Sequence, residues 1–343
     1  MTKPELILHV GIHKTGTTSI QHFFHRNFDV LLQNGVLYPK SLRKLGTGVT
    51  HFAHHDLAWH FGFSGNKTRL AKTDSIAKRL NGEFLRTNAR KIFISSEALE
   101  YFSSISSLEN FRDEFIDFDV KILIYIRRQD KLLQSVFKQR VKTGMTVGFN
   151  KFYKKANFNF DEKISEWETV FGIENIKIKI FDDPEVKSNL IGNLLNDLGI
   201  ENTKAFKKEE FLSKNESFSN EHTAFIRQLN AFSNAERRGE VFKFFKQLYD
   251  EKKFEFDDKS FFTKKQLMQF YKKNADSNES LRLRYFPERE FLFDWDIKED
   301  LKNLKTFKNT KYPDQVLDAF YFALNLSSSQ TKTQPENKEE DDI

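Results

Sequence analysis

The stretch LILHVGIHKTGTTSIQ, residues 6–21, decides how the chain is read. Leu6–Val10 is a short apolar run bounded by a glycine, the signature of a buried strand. After the turn, Ile20, Phe23, Phe24, Phe28 and Leu31 recur at helical spacing, and Asn34-Gly35 is a stop signal. A strand, a glycine-containing loop and a helix start in direct succession make an anion cradle, because backbone N–H groups and the positive helix end converge there. Gly11 and Gly16 permit the tight turn, and Thr17 and Thr18 add hydroxyls. The alternative for these two threonines is simple helix capping. Lys14 sits between the two glycines, and His13 lies within the same loop.

Outward from this unit, the first half alternates apolar runs with helical patterns, as a parallel α/β sheet requires. Val36–Tyr38, Lys91–Ser95, Val120–Ile126 and Ile176–Phe181 are the further strand candidates. Residues 41–70 read as loop, with histidines at 51, 54, 55 and 60. Asn189–Leu198 reads as a helix stopped by Gly199. After about residue 200 the strand signals cease, and helical stretches such as Phe242–Leu248 and Phe261–Tyr271 follow. The expected organisation is an α/β core over 1–200 and a helical extension of the same domain over 201–325. A disordered acidic tail over 326–343 completes it. That tail holds two lysines against five acidic residues, a net of −3, so the rest of the chain carries +9 of the overall +6.

Composition narrows the function classes. The chain has 343 residues and 38 phenylalanines, enough aromatic bulk for a sizeable core. It has no cysteine, which excludes disulfide scaffolds, thiol nucleophiles and thiolate metal sites. No apolar run approaches membrane-spanning length, and the start does not read as a signal peptide, so a cytoplasmic protein without a membrane span is expected. The alternation of Phe and Lys suggests stacking on nucleic acid. A compositional habit of the whole chain explains it better, and no nucleic-acid partner is expected.

The loop spacing resembles the G-x-x-x-x-G-K-[ST] loop of nucleoside triphosphate-binding proteins, with two departures. Position 17 is Thr rather than Lys, and the lysine stands inside the loop at 14. Those proteins also hold magnesium with an aspartate at a neighbouring strand end, whereas the most apolar strand here, VKILIYI, runs into Arg127-Arg128. Guanidinium groups repel a cation and attract a second anion. Arg127 pairing with an acid such as Asp130 is the competing reading.

A phosphate cradle with an inward lysine and arginines at the strand end resembles the sulfotransferases that use 3′-phosphoadenosine 5′-phosphosulfate (PAPS). HVGIHKTGTTSIQ (9–21) is similar to their 5′-phosphosulfate loop. IRRQDKLLQS repeats their 3′-phosphate pattern, an arginine with a serine eight residues on, here Arg127 and Ser135. The RRQD form looks like the bacterial carbohydrate-type branch. IKIFDDPEVKSNLIGNLLNDLGI (178–200), NESFSNEHTAFIRQLN (215–230) and SNESLRLRYFPERE (277–290) are weaker likenesses. The resemblance covers roughly residues 6–295 and implies a P-loop-like three-layer fold with a central parallel sheet. It further implies PAPS as co-substrate, PAP as product, no metal, and an acceptor hydroxyl, with a saccharide favoured. By the resemblance, Gly11, His13, Lys14, Thr15, Gly16, Thr17 and Thr18 bind the 5′ end, and Arg127 and Ser135 the 3′-phosphate. Lys14 is also catalytic.

Glu97 follows KIFISS at the carboxyl end of its strand, where open α/β sheets bind ligands. It reads either as the general base or as a helix-start residue behind a capping Ser95 or Ser96. The resemblance favours a role in catalysis or substrate binding at this strand end. His54 and His55 are the rival base or substrate contacts. Two other classes compete with the whole reading: a magnesium-dependent P-loop kinase, and a nucleotide- or nucleic-acid-binding module without catalysis.

Overall fold

The computed structural model describes residues 3–12, 14–43, 52–61, 75–101, 105–207, 219–232, 259–293 and 297–306. In chain order the elements are β1 (Glu5–Gly11), α1 (Thr17–Arg26), α2 (Phe28–Gln33), β2 (Val36–Leu37), α3 (His55–His60), α4 (Ile76–Phe84), β3 (Lys91–Ser96), α5 (Ile105–Glu114) and β4 (Asp119–Ile126). Then follow α6 (Gln129–Lys142), α7 (Phe149–Lys155), α8 (Phe160–Phe171), β5 (Ile176–Ile180), α9 (Pro184–Ser188), α10 (Leu190–Asp197), α11 (Asn220–Phe232), α12 (Lys264–Tyr285) and α13 (Ile297–Asn303). Phe242–Leu248 and the acidic tail lie outside the described residues.

The five strands form one sheet in the order β2-β3-β1-β4-β5. Every pairing is parallel. The fold class is therefore the expected α/β class, a parallel sheet flanked by helices. Parallel strands need cover on both faces, and the sequence supplies it. Ile7, Phe93, Leu123 and Tyr125 pack with Ile20, Phe23 and Phe24 of α1 and Leu194 and Leu195 of α10. Leu6, Leu8, Ile92, Ile94 and Ile122, at the alternate positions, are equally buried.

Two local expectations change. The pattern from Ile20 to Leu31 is two helices, not one. Asn27 breaks it: its Nδ2 donates to the Phe23 carbonyl at 3.0 Å, and its Oδ1 accepts the Lys207 N–H at 2.8 Å. A side chain that bonds its own backbone competes with helix continuation. The histidine-rich stretch is not all loop, since residues 55–60 form α3, with Leu57 and Ala58 fully buried.

The chain forms two compact units, each built from three segments of the sequence. The first comprises 1–132, 157–216 and 269–297, and it contains the whole sheet. Polar ties assign the late segment to it. The Asp161 N–H donates to Ser277 Oγ (3.2 Å), Ser277 Oγ donates to Asn159 Oδ1 (2.7 Å), and Arg284 Nε donates to Glu168 Oε1 (3.1 Å). The second unit comprises 133–156, 217–268 and 298–343. Its described part is held by aromatic contacts of Phe137 with Phe149 and Phe261, ring centroids 5.1 and 5.0 Å apart, and by Asn230 donating to the Val141 carbonyl. Among the described residues, no helix is long and apolar enough to cross a membrane.

Candidate functional site

The loop after β1 is closed from within. A Cβ at Gly11 would stand 2.6 Å from the Thr17 side chain, so strand end and helix start approach only because residue 11 is glycine. Thr15 is buried, and its Oγ1 donates to the Ile12 carbonyl at 2.6 Å. Lys14 has φ 67° and Gly16 φ 79°. Lys14 is the one left-handed non-glycine among the described residues. That conformation costs an L-residue roughly 1–2 kcal/mol, so something must hold it. Left-handed residues alternating with ordinary ones are the backbone form of an anion-binding concavity.

The helix start completes the cradle. Gly16 is the N-cap of α1, no side chain caps it, and its first turn holds no acidic residue. The first intrahelical bond runs from the Ile20 N–H to the Gly16 carbonyl. The N–H groups of Thr17, Thr18 and Ser19 therefore precede the helix ladder, at the positive end of the helix. Neither threonine is the cap. Thr17 is buried and Thr18 exposed. The loop could not accept a side chain at Gly16 either, since a Cβ there would run into Leu190. His13 lies outside the described residues.

The arginine pair divides its labour. Arg128 is buried and bidentate to Asp130, with Nε to Oδ1 at 2.7 Å and Nη2 to Oδ2 at 3.0 Å. Burial pushes the Asp130 carboxyl above its usual range while Arg128 pulls it down. The acid weighed as a partner for Arg127 thus belongs to Arg128, whose charge is neutralised internally. Arg127 turns to the loop, and its Nη1 donates to the Lys14 carbonyl at 3.0 Å. Its Nε faces Asp182 Oδ1 at 3.5 Å, and its guanidinium lies 5.3 Å from the Phe181 ring centre. Asp182 Oδ2 accepts the Arg128 N–H at 2.9 Å. The sequence reading missed Asp182. Its only signal was the Asp182-Asp183 pair immediately beyond the last strand.

At the end of β3 the polar groups are hydroxyls, imidazoles and the Glu97 carboxyl. Ser95 Oγ lies 2.9 Å from His9 Nδ1 and accepts Gln21 Nε2 at 3.4 Å. Ser96 Oγ accepts the Ala98 N–H at 3.2 Å and lies 2.9 Å from His55 Nδ1. Glu97 opens a short 3₁₀ turn to Tyr101 and is half-buried. Ser96 therefore does begin that turn, as the capping alternative held. His54 and His55 part company. His54 is fully buried, Nδ1 accepts the Ser95 N–H at 3.1 Å, and Nε2 lies 3.0 Å from the Pro39 carbonyl. Burial lowers its pKa to about 3. A ring with both nitrogens committed inside the core does not take a proton from an acceptor, so His54 is a structural residue and not a base. His55 is only half-buried and stands beside Glu97's strand end.

Sheet register brings these groups to one edge. Val10 pairs with Ser96 of β3, and Gly11 with Tyr125 of β4. The loop, Glu97 and Arg127 thus leave the carboxyl ends of three adjacent strands, where α/β sheets bind ligands. Ser135 lies in α6, half-buried, within the second unit. Its link to Arg127 rests on sequence spacing alone. Among the described residues, no group of three or more His, Asp or Glu is arranged to hold a metal ion.

No family model matches the chain. A protein of Archaeoglobus fulgidus, described only as uncharacterized, is 32% identical over 201 residues, 57% of this chain. The chain spans about half, 54%, of that relative's length. Among solved structures, a sulfotransferase from Alicyclobacillus acidocaldarius aligns at a TM-score of 0.38 and 16% identity, over 67% of this chain and 93% of that one.

Proposed function

We propose that the chain is a sulfotransferase that moves a sulfuryl group from PAPS to an acceptor hydroxyl. One observation carries this reading: an uncapped phosphate-type cradle containing Lys14, bordered at the next strand end by Arg127 rather than by an available carboxylate. The acid facing Arg127, Asp182, is committed to the Arg127 side chain and the Arg128 N–H. The residues fit a donor with two separated anionic ends. The α1 start and the loop N–H groups receive the 5′ end. A guanidinium has five N–H donors. Those of Arg127 not spent on the loop and Asp182 take the 3′-phosphate.

In the proposed reaction Glu97 removes the acceptor proton as the hydroxyl oxygen attacks sulfur in line. Lys14 and the loop N–H groups stabilise negative charge on the departing oxygen between sulfur and the 5′-phosphate. His55 contacts the acceptor. We take the acceptor to be a saccharide hydroxyl, on the likeness of RRQD to the carbohydrate-type branch.

Calorimetric titration with PAP, AMP, ADP and ATP–magnesium tests the donor. PAP should bind far more tightly than AMP without added metal. Equal affinities for PAP and AMP would remove the 3′-phosphate assignment, and preferential binding of ATP–magnesium would replace the reading with a kinase. Incubation with labelled PAPS and a panel of glycans, lipids and simple alcohols tests the acceptor class.

A further inference from the structure

We propose that Asp182 is a positioning residue for the loop: it fixes Arg127 so that the guanidinium clamps the Lys14 carbonyl. The significance for sulfuryl transfer rests on the donor assignment above, but the clamp itself does not. Lys14 holds a left-handed backbone, uncommon in a residue with a side chain. Its carbonyl is held by Arg127 Nη1 at 3.0 Å. The guanidinium is aimed from behind, with Nε facing Asp182 Oδ1 at 3.5 Å. The carboxylate is itself anchored, because Oδ2 accepts the Arg128 N–H at 2.9 Å.

Burial makes the arrangement consequential. The side chains of Arg127 and Asp182 are 20% and 12% exposed. Arg127 Nε and Asp182 Oδ1 are buried without a hydrogen-bond partner, and each faces the other as an ion pair. The two opposite charges attract across 3.5 Å, and the carboxylate's second oxygen is fixed by the Arg128 N–H, so the guanidinium faces a held charge. The remaining neighbours close the alternatives. The Phe181 ring lies 5.3 Å from the guanidinium, and the Phe181 N–H is tied to the Ile126 carbonyl. Arg128 cannot substitute, since Asp130 holds it. The end of β5 thus sets the conformation of the loop after β1, across the intervening β4.

Asp182→Asn is the test, because asparagine retains an acceptor for the Arg128 N–H and puts an uncharged NH2 in place of the oxygen facing Arg127. Hydrogen exchange followed by mass spectrometry, on peptides covering residues 9–21, reads the loop without any ligand. Exchange there should accelerate in the variant, while peptides from the centre of β4 keep wild-type rates. PAP titration reads the consequence, and affinity should fall by about fivefold to tenfold, the scale of one ordinary hydrogen bond. Unchanged loop exchange overturns the clamp. Tighter PAP binding also overturns it, since the carboxylate would then be competing with the anion for Arg127. If wild-type protein binds no PAP, the donor assignment fails, and hydrogen exchange still decides the clamp.

Discussion

The two strand ends that flank β1 are built from different chemistry. On the β4 side stand cations and carboxylates in pairs: Arg127 with Asp182, Arg128 with Asp130. On the β3 side stand hydroxyls in contact with imidazoles, Ser95 with His9 and Ser96 with His55, followed by Glu97. The loop between them presents backbone N–H groups and Lys14. Such a division suits a reaction with one highly charged partner and one neutral partner. Charge pairs hold a polyanion by geometry, whereas a hydroxyl acceptor needs a proton acceptor without a surrounding field of cations. The largest expected effects therefore lie where the two sides meet.

Lys14 is the first way to break this division. If it stabilises the departing oxygen, Lys14→Ala should lower kcat by about 10²–10³-fold, as for other lost transition-state donors. A loss of PAP affinity with unchanged kcat would make it a ground-state binder and move it wholly to the anion side. Glu97 comes next. Glu97→Gln keeps shape and removes the proton acceptor, so kcat should fall by about 10²-fold with PAP affinity intact. His55→Ala should mainly raise the acceptor KM. Near-normal kcat in Glu97→Gln with turnover lost in His55→Ala would give the base to His55 and leave Glu97 as the residue that opens the turn. Arg127→Ala is smaller in scale, a loss of at least about tenfold in PAP affinity. An equal loss for AMP and PAP would mean that Arg127 serves the loop and not a 3′-phosphate.

Much of this frame was legible because burial writes itself into apolar runs. LILHV, KIFIS and VKILIYI are strands since parallel pairing buries both faces. The glycine loop was legible because two of its positions tolerate no side chain. What was not legible depended on partners distant in sequence. Asp182 reads as a surface acid until β5 is placed beside β4. Which arginine Asp130 holds is not legible until the structure gives it to Arg128. Asn27 reads as a tolerable helix residue until Lys207 arrives 180 positions later to engage it. The two-unit division escaped for the same reason, since segment 269–297 returns to the sheet-bearing unit through polar ties that no local pattern announces.

His54 gives the smallest but cleanest separation of the β3 side into a buried histidine and a half-buried one. Burial holds both His54 and His9 near a pKa of about 3, against an ordinary value of 6.5. In the unfolded chain each takes a proton as pH falls through 6.5, and in the folded protein each resists until about 3. The unfolded state therefore binds more protons across that window, so the contribution to stability is full above pH 6.5 and declines as pH falls toward 3. Each such group costs about 1.4 kcal/mol per pH unit inside the window. His54→Gln should therefore be less stable than wild type at neutral pH, by about 1–3 kcal/mol for the disturbed buried hydrogen bonds. Yet it should lose less on moving from pH 7 to about pH 5, by about 2 kcal/mol. Urea unfolding at the two pH values measures both quantities. Parallel pH dependence in variant and wild type would mean that His54 titrates normally in the folded state. The histidine pair would then be open to the acceptor as a unit, and the contrast between His54 and His55 would dissolve.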